Sequence, residues 1–310
     1  MNILLTGVTG QLGYELYSSL QPLGTVVPTF HPKEKTSISK ALPMDLTDGN
    51  DILQVIEHVK PKLIVNAAAY TDVDKAESDV NTAMDVNCHA PWVMAEIAAS
   101  NNIGLVHYST DYVYPGTGDV PFTEDSGTEP INVYGKTKVS GDYAIIATDC
   151  PYLIFRTSWV YGSHGNNFVK SMLAHGKYNE TLKVVDDQIG APTCARSLAN
   201  ITANVLTVCK PDLLGKMKQY QGVYHAVNYG ETSWYGFANK IFDLAWECGY
   251  QGKVKEILPI PSEEYKTHAS RPKNSRLSCL KLQDTFGFKM GHWEETLEWV
   301  LPQIMTSNFI

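Results

Sequence analysis

The sequence is poor in the residues that build disulfide frameworks and metal centres. It contains six cysteines in 310 residues, and none forms a C-x-x-C pair or lies close to a histidine cluster. Such scattering predicts neither a zinc site nor a disulfide scaffold, and it favours reduced, buried thiols. The six positions are Cys88, Cys150, Cys194, Cys209, Cys248 and Cys279.

Long apolar runs, a leader peptide and an excess of basic residues are also missing. No stretch of eighteen apolar residues is present, and the first residues, Met-Asn-Ile-Leu-Leu-Thr-Gly, show no basic leader or cleavage site. We therefore expect no membrane span and no secretory signal, and a cytoplasmic protein. The net charge of −8 argues against nucleic-acid or anionic-membrane binding, although local basic residues can still hold a phosphate.

What the chain does contain is a regular alternation of short apolar runs and helical patterns. With 44% hydrophobic residues it can bury one large domain and a smaller one. The alternation predicts an α/β fold with a doubly wound parallel sheet, which binds ligands at the carboxyl ends of its strands. The predicted strands are Ile3–Thr6, Thr25–Thr29, Leu63–Asn66, Leu105–Ser109 and Tyr152–Arg156. The predicted helices are Gln11–Leu20, Gly49–Val59 and Val73–Ser100, the last with a break expected near Pro91.

Beyond residue 157 the pattern loosens and indicates a smaller substrate domain. Ser233 is a plausible N-cap for a helix with one apolar face, and Pro259-Ile-Pro261 marks an extended segment. We predict a dinucleotide-binding domain formed by residues 1–157 and about 193–228. The substrate domain is predicted to take about 158–192 and 229–310.

Three glycines follow the first strand and open the first helix. Gly7, Gly10 and Gly13 are spaced as G-x-x-G-x-x-G, a variant of the Rossmann-type fingerprint. Backbone N–H groups and the helix dipole at such a turn face a pyrophosphate. The turn predicts a nicotinamide dinucleotide site.

The choice between NADPH and NADH rests on the end of the second strand. Enzymes that use NADH often place an acid there to hold the ribose hydroxyls, and this chain has none. Instead His31, Lys33 and Lys35 lie near that corner, where cations suit a 2′-phosphate. A solvated charged loop is an equally good interpretation.

Tyr134, Lys138 and Thr110 are the candidate catalytic residues. Tyr134 and Lys138 are four residues apart on a predicted helix, so their side chains share a face from which Lys136 points away. An ammonium beside a phenol stabilises the phenolate and lowers the pKa of the tyrosine. Thr110 lies at the carboxyl edge of the sheet, where it can hydrogen-bond a carbonyl oxygen. Each residue alone is equally compatible with surface decoration.

Taken together, the glycine turn, the candidate catalytic residues and the further motifs given below resemble the extended short-chain dehydrogenase/reductases. The resemblance is strongest to the dTDP-4-dehydrorhamnose reductase branch. The resemblance spans almost the whole chain. The general motifs are Gly7-x-x-Gly10-x-x-Gly13, Asn66-Ala-Ala-Ala69, Asp72-x-Asp74-x-Ala-Glu77, His107-Tyr-Ser-Thr-Asp111 and Tyr134-x-x-x-Lys138, and the branch motifs are Thr157-Ser-Trp-Val-Tyr161, Gly165-Asn-Asn-Phe168, Asp187-Gln-Ile-Gly-Ala-Pro-Thr193 and Arg271-Pro-Lys-Asn-Ser-Arg276.

The resemblance implies reduction of the C4 ketone of dTDP-4-dehydro-L-rhamnose by NADPH or NADH. Tyr134 would protonate the C4 alkoxide, Lys138 would hold the nicotinamide ribose and tune Tyr134, and Thr110 would orient the ketone. The implied cofactor residues are Gly7, Gly10, Gln11, Leu12, Gly13, Asp45, Leu46, Ala67, Ala68, Ala69, Tyr108, Tyr134 and Lys138. The implied residues for the nucleotide-sugar are Thr110, Asp111, Tyr134, Trp159, Asn167 and Arg271.

Some features leave alternatives open. Trp159 offers a flat apolar face to a deoxysugar but suits core packing equally well, and Arg271 is either a diphosphate anchor or a member of a structural ion pair. Certain members of the resembled family are dimers bridged by magnesium through carboxylates, yet Arg196 stands at one of those positions, so no metal site is expected. The chain is expected to be a monomer or a homodimer.

Two rival functions share this fold. A nucleotide-sugar 4,6-dehydratase or epimerase uses the same Tyr and Lys, but dehydratases resemble Thr-Asp-Glu at the strand end, and here Tyr112 replaces the glutamate. A non-catalytic protein, such as the regulatory subunit of methionine adenosyltransferase, would bind cofactor without turnover. The missing glutamate favours net reduction over dehydration, and the intact Thr110, Tyr134 and Lys138 argue against a non-catalytic protein.

Overall fold

A parallel seven-stranded sheet forms the centre of the computed structural model, which describes residues 1–306. Helices flank the sheet, and further short strands lie outside it; all are numbered in chain order. The strands are β1 Asn2–Thr6, β2 Thr25–Phe30, β3 Leu42–Pro43, β4 Leu63–Asn66, β5 Gly104–Thr110, β6 Tyr152–Thr157, β7 Val160–Tyr161, β8 Thr181–Val185, β9 Ile189–Gly190, β10 Thr193–Cys194, β11 Gly222–His225, β12 Thr232–Ser233, β13 Glu256–Ile260 and β14 Asn274–Ser275. The helices are α1 Gln11–Ser19, α2 Gly49–Val59, α3 Val73–Ala76, α4 Val80–Met84, α5 Ala90–Asn101, α6 Val133–Ile146, α7 Phe168–Gly176, α8 Ala195–Val208, α9 Leu213–Gln219, α10 Trp234–Glu247, α11 Leu280–Phe286 and α12 Trp293–Thr306.

The strand order of the large sheet is β11-β6-β5-β4-β1-β2-β3, which confirms the predicted doubly wound fold. The chain winds outward from β1 through β2 to β3 and then returns to place β4 on the other side of β1. The carboxyl ends of β1 and β4 therefore meet at a switch point, where such sheets bind ligands. Two apolar cores cover the two faces of the sheet.

The five predicted strands and the first two helices agree with the structure to within a residue at each end. The prediction of one long helix over Val73–Ser100 was wrong in where it breaks. α3 ends at Ala76 and Asp79 leaves helical geometry with a φ of −115° and a ψ of 50°, whereas the helical run continues through Pro91 at the start of α5. A π-helical segment, Asp85–His89, joins α4 to α5 without a break.

A second, smaller body of structure follows β6. It contains the parallel pair β8–β13, the sheet β12-β9-β14, and a core where α7, α10 and α12 pack together. Ser233 caps α10 as predicted, since its Oγ accepts from Gly236 N. The predicted domain division stays a prediction. Leu282 and Phe286 of α11 pack in the core of the large sheet.

All six cysteines are free, and three of them are buried. Cys248 is exposed, so the expectation of buried thiols does not hold for every position. Among residues 1–306, no helix is long and apolar enough to cross a membrane.

Candidate active site

The glycine turn lets a ligand come close to the protein backbone. Gly7 has a φ of +69° and packs on Ala68, and a Cβ at Gly13 would lie 2.0 Å from the Gly7 carbonyl oxygen. Gly10 is the N-cap of α1 and carries no side chain to satisfy the first N–H groups of the helix. Gln11, Leu12 and Gly13 therefore start a helix whose N-terminus is open to an anion, and the turn fits the pyrophosphate of a dinucleotide.

Other predicted cofactor residues follow the carboxyl ends of β3 and β4. Ala67, Ala68 and Ala69 follow β4 directly, and Ala68 N donates to Thr6 Oγ1 at 3.1 Å. Asp45 follows β3, and its pKa is lowered chiefly by a hydrogen bond from the Thr47 backbone. Leu46 is buried in the sheet core.

The loop after β2 holds an acid that sequence analysis missed. Glu34 accepts a hydrogen bond from the hydroxyl of Thr9, which belongs to the glycine turn. His31 Nε2 lies 4.0 Å from Asp45 Oδ1, so this basic residue of the loop faces a carboxylate. Glu34 lies four positions beyond the end of β2, so the rule that places this acid at the strand end itself does not identify it.

Thr110 and Tyr134 meet at the carboxyl end of β5. Thr110 is the last residue of the strand, and Tyr134 lies in the first turn of α6, which Asn132 caps. The pKa of Tyr134 is raised, above all because burial strips water from the phenolate, while a hydrogen bond with Thr110 acts in the opposite direction. The expectation that neighbouring charge lowers this pKa is not met in the protein alone.

Lys138 is one turn further along α6 and is 1% exposed. Its Nζ donates to Tyr108 O at 2.6 Å and lies 3.2 Å from His107 Nε2. Burial lowers the pKa of Lys138 to about 8, and the charge of Asp142 opposes that shift. Tyr108 contributes only its carbonyl oxygen here, because its hydroxyl bonds Thr202 at 2.7 Å and its ring lies in the core.

Asp111 brings a buried carboxyl group next to the reaction centre. Its Oδ1 accepts from Thr110 Oγ1 at 3.0 Å, and Oδ2 has no hydrogen-bond partner among the described residues. Burial raises the pKa of Asp111 to about 6, partly offset by hydrogen bonds from Ser275 and Thr110. The carboxyl thus changes charge close to neutral pH.

A cavity of about 860 Å³ lies beside this centre, between α7, β8 and the segment of residues 262–271. Its walls combine aromatic rings with basic side chains, which suits a ligand that has both a flat ring and negative charge. The residues that define it here are Phe168, Trp234, Lys183, Lys266, His268 and Arg271. Of these residues only Arg271 was predicted as a site residue, although Phe168 belongs to one of the branch motifs. The other basic residues are isolated and far apart in the chain, so they form no pattern in the sequence.

Arg271 lines the cavity and is also paired within the protein. Its Nη2 donates to Asp74 Oδ2 at 2.6 Å and its Nη1 donates to Tyr112 Oη at 3.3 Å. Tyr112 in turn packs edge-on against Tyr134, with ring centroids 5.7 Å apart. Arg271 therefore connects the cavity with the reaction centre. The contact with Asp74 agrees with the interpretation as a member of an ion pair, and the role of diphosphate anchor stays a prediction.

Trp159 and Asn167 are placed mainly by contacts within the protein. One face of the Trp159 ring stacks on Trp234 at 3.6 Å, and its backbone has a φ of +48°, which typically costs about 1–3 kcal/mol for a residue other than glycine. Asn167 caps α7, and its Nδ2 donates to Gln11 Oε1 at 3.1 Å. Asn167 therefore connects α7 with α1, the helix that begins at the glycine turn.

Arg196 occupies a position where metal ligation would need a carboxylate. Its guanidinium donates to Glu15 Oε2 at 2.7 Å and to Gln303 at 3.1 Å, and it lies over the Trp299 ring. Residues 1–306 contain no group of three or more His, Cys, Asp or Glu that could hold a metal ion. These residues do not fit a magnesium site.

Comparison with known proteins assigns the chain to a family. A sequence model described as the RmlD substrate binding domain matches residues 1–306. The dTDP-4-dehydrorhamnose reductase of Salmonella typhimurium (strain LT2) is 42% identical over 314 aligned positions, which cover 100% of both chains. The chain belongs to the dTDP-4-dehydrorhamnose reductase family.

The same family name recurs among other relatives and solved structures. The dTDP-4-dehydrorhamnose reductase of Escherichia coli (strain K12) is 40% identical and also covers 100% of both chains. A crystal structure of dTDP-4-dehydrorhamnose reductase from Bacillus anthracis in complex with NADP is 35% identical, with a TM-score of 0.82 over 96% of this chain and 98% of that one. Family membership confirms the resemblance inferred from the motifs.

Proposed function

We propose that this protein reduces the C4 ketone of dTDP-4-dehydro-L-rhamnose to dTDP-L-rhamnose, with NADPH or NADH as the reductant. The observation that carries the proposal is the contact of Thr110 with Tyr134 at the carboxyl edge of the sheet, with Lys138 one turn further along α6 and an open glycine turn after β1. Family membership selects this reaction over the dehydratase, epimerase and regulatory-subunit alternatives.

The glycine turn supports a cofactor role because it leaves space where any other residue would place a Cβ. Gly7, Gly10 and Gly13 would hold the pyrophosphate, Asp45 and Leu46 the adenosine half, and Ala67–Ala69 the nicotinamide half. When bound there, the reduced nicotinamide supplies the hydride.

The side chains at the end of β5 would then complete the reduction. Thr110 would turn its hydroxyl hydrogen from Asp111 Oδ1 to the ketone oxygen, and Tyr134 would give its proton to that oxygen as the ketone becomes an alcohol. The raised pKa of Tyr134 keeps the phenol protonated at neutral pH, as a proton donor must be. Because an alkoxide is a much stronger base than a phenolate, the transfer remains favourable.

The cavity beside this centre is the proposed site for the nucleotide part of the substrate. Its aromatic wall, formed by Phe168 and Trp234, suits the base, and Arg271 with Lys266 suits the diphosphate. Asp111 is close enough to Thr110 to accept hydrogen bonds from sugar hydroxyls near C4.

The direct test follows the absorbance of the reduced nicotinamide in the presence of dTDP-4-dehydrorhamnose, with the UDP counterpart in parallel. We expect oxidation that depends on the sugar and is faster with the dTDP form. Tyr134→Phe serves as the inactive control. Tight cofactor binding without sugar-dependent oxidation would show that the protein is a binding module instead.

A further inference from the structure

Tyr112 lies between the reaction centre and the cavity. It belongs to the short 3₁₀ turn Asp111–Val113 that follows β5, and it lines the wall of the cavity. Its hydroxyl accepts a hydrogen bond from Arg271 Nη1 at 3.3 Å, and its ring meets the Tyr134 ring edge to face, with centroids 5.7 Å apart. One side chain therefore touches both the cation proposed for the diphosphate and the acid proposed for the ketone.

The backbone of Tyr112 fixes this side chain against the start of α6. Its N–H donates to Thr110 Oγ1 at 3.2 Å, which anchors the turn to the end of β5. Its carbonyl oxygen packs on Gly135, where a Cβ would lie 2.2 Å from that oxygen. Because residue 135 is a glycine, the first turn of α6, which carries Tyr134, rests directly on the Tyr112 backbone. A displacement of Tyr112 therefore displaces Tyr134 as well.

Arg271, at the other end of the Tyr112 side chain, keeps donors for a ligand. Its Nη2 donates to Asp74 Oδ2 and its Nη1 to Tyr112, whereas a guanidinium has five N–H groups. Burial raises the pKa of the Tyr112 phenol, and the charge of Arg271 acts in the opposite direction. The hydroxyl is therefore a neutral partner that orients Arg271 without neutralising the charge a phosphate needs.

The chemistry of the proposed substrate requires that these two ends be held apart by a fixed distance. A nucleoside-diphosphate sugar carries its diphosphate on C1 and the ketone on C4, at opposite sides of one sugar ring. An enzyme that reduces C4 must hold the diphosphate and the proton donor at a matching separation, since small misplacements of reacting groups are costly. Tyr112 spans the interval from Arg271 to Tyr134.

We propose that Tyr112 is a positioning residue that sets the separation between the diphosphate position at Arg271 and the phenol of Tyr134. The inference rests on the proposed function and adds a further residue to it. The hydroxyl of Tyr112 orients the guanidinium, and its ring orients the phenol. These two contributions are separable by substitution because they belong to different parts of one side chain.

Two variants separate the hydroxyl from the ring, with dTDP-4-dehydrorhamnose as the substrate and NADPH at saturation. Tyr112→Phe keeps the ring, so KM for the nucleotide-sugar should rise about three- to tenfold while kcat stays within about twofold. Tyr112→Leu also removes the ring, so kcat should fall about ten- to a hundredfold while the dissociation constant of NADPH is unchanged. A residue that only supports the fold would not divide KM from kcat in this way.

A double-variant cycle tests whether the hydroxyl acts through Arg271. In an Arg271→Ala background, Tyr112→Phe should raise KM no further, because both changes remove the same contact. Tyr143→Phe and Tyr143→Leu are the matched controls, since they make the same changes at an exposed tyrosine of α6 whose hydroxyl bonds Thr128. Both controls should keep the KM and kcat of the unmodified protein.

Unchanged KM and kcat in the two Tyr112 variants, or additive effects of Tyr112→Phe and Arg271→Ala, would overturn the inference. If Tyr112→Leu does not fold, Tyr112→Phe and the cycle decide alone. An unmodified protein that does not turn over the sugar would refute the proposed function instead. Calorimetric titration with dTDP then decides this inference: Tyr112→Phe should weaken binding about three- to tenfold, and an unchanged dissociation constant would overturn it.

Discussion

Tyr134 has the protonation state and the position that a proton donor requires, although burial rather than charge sets its pKa. Tyr134→Phe removes the acidic hydroxyl and keeps the ring against Tyr112. We expect turnover to fall by about 10²- to 10⁴-fold, while the dissociation constant of NADPH changes little. Steady-state kinetics and fluorescence titration measure the two quantities, and a Phe variant with normal turnover would remove Tyr134 from the mechanism.

Arg271 is predicted to anchor the diphosphate in spite of its ion pair with Asp74. The contact is remote from C4 and does not change during the reaction, so Arg271→Ala should raise KM for the nucleotide-sugar by about tenfold or more, with a smaller effect on kcat. Asp74→Asn separates the roles, because it weakens the ion pair but keeps the guanidinium. An unchanged KM in a folded Arg271→Ala variant would assign the residue to structure.

Asp111 should impose an acid limb on the pH profile. With a pKa of about 6, it is a carboxylate above that pH and a weaker acceptor for sugar hydroxyls below it. We expect kcat/KM to fall as the pH drops through about 6, and Asp111→Asn to lower kcat/KM and flatten that limb. A limb that persists in the Asn variant would belong to another group.

The raised pKa of Asp111 also affects the stability of the fold, which it favours at low pH rather than at high pH. Because the folded pKa of Asp111 is raised from 3.8, the neutral form is the one that folding favours. The contribution of this group to stability is full below about 4 and is lost as the pH rises through about 6.

At the scale of elements, the glycine turn gives the sharpest prediction. A Cβ at position 13 would lie 2.0 Å from the Gly7 carbonyl oxygen, so Gly13→Ala must push the start of α1 away from the turn. We expect cofactor binding to weaken by more than about tenfold, since the N–H groups lose their alignment with the pyrophosphate. Isothermal titration with NADPH measures this change.

Gly49→Ala is the matched control, because it changes another helical glycine whose Cβ would meet only Val93 Cγ2 at 3.7 Å. Cofactor affinity in that variant should equal that of the unmodified protein. Equal affinity in Gly13→Ala would mean that the turn does not hold the pyrophosphate.

Helices, strands and the residues that share one face of a helix could be predicted where a local sequence pattern indicates them. The spacing of Tyr134 and Lys138 places both on one face of α6, and turn residues mark the strand ends. The partners of these residues could not be predicted, because Lys138 meets His107 across two elements and Arg271 meets Asp74 over 197 positions. Such contacts depend on how the helices and loops pack against the sheet. The periodicity of residue types along the sequence does not describe that packing.

At the scale of the whole molecule, Arg196 joins three helices that begin far apart in the sequence. It lies on α8 and reaches Glu15 on α1 and Trp299 on α12. Glu15 is nearly buried, so Arg196→Ala leaves a carboxylate with no partner and should lower the free energy of unfolding by about 1–3 kcal/mol. Urea denaturation followed by circular dichroism gives the value.

Arg276→Ala provides the comparison, because the partner of Arg276 is the exposed Glu231. That variant should lose less than about 1 kcal/mol. A chelator should leave the stability of the unmodified protein unchanged, since a guanidinium stands where a metal would need a ligand. Equal losses in the two arginine variants would contradict a special role for the Arg196 contact.

The pairing of Asp74 with Arg271 also constrains how this protein can change over evolutionary time. Asp74 holds the far segment twice, since it accepts from Ala269 N at 2.9 Å as well as from Arg271. A substitution at either position alone removes a partner from the other, whereas a joint substitution can restore the match. Positions 74 and 271 should therefore covary among homologous sequences. Such covariation would identify the contact that connects α3 with the wall of the cavity.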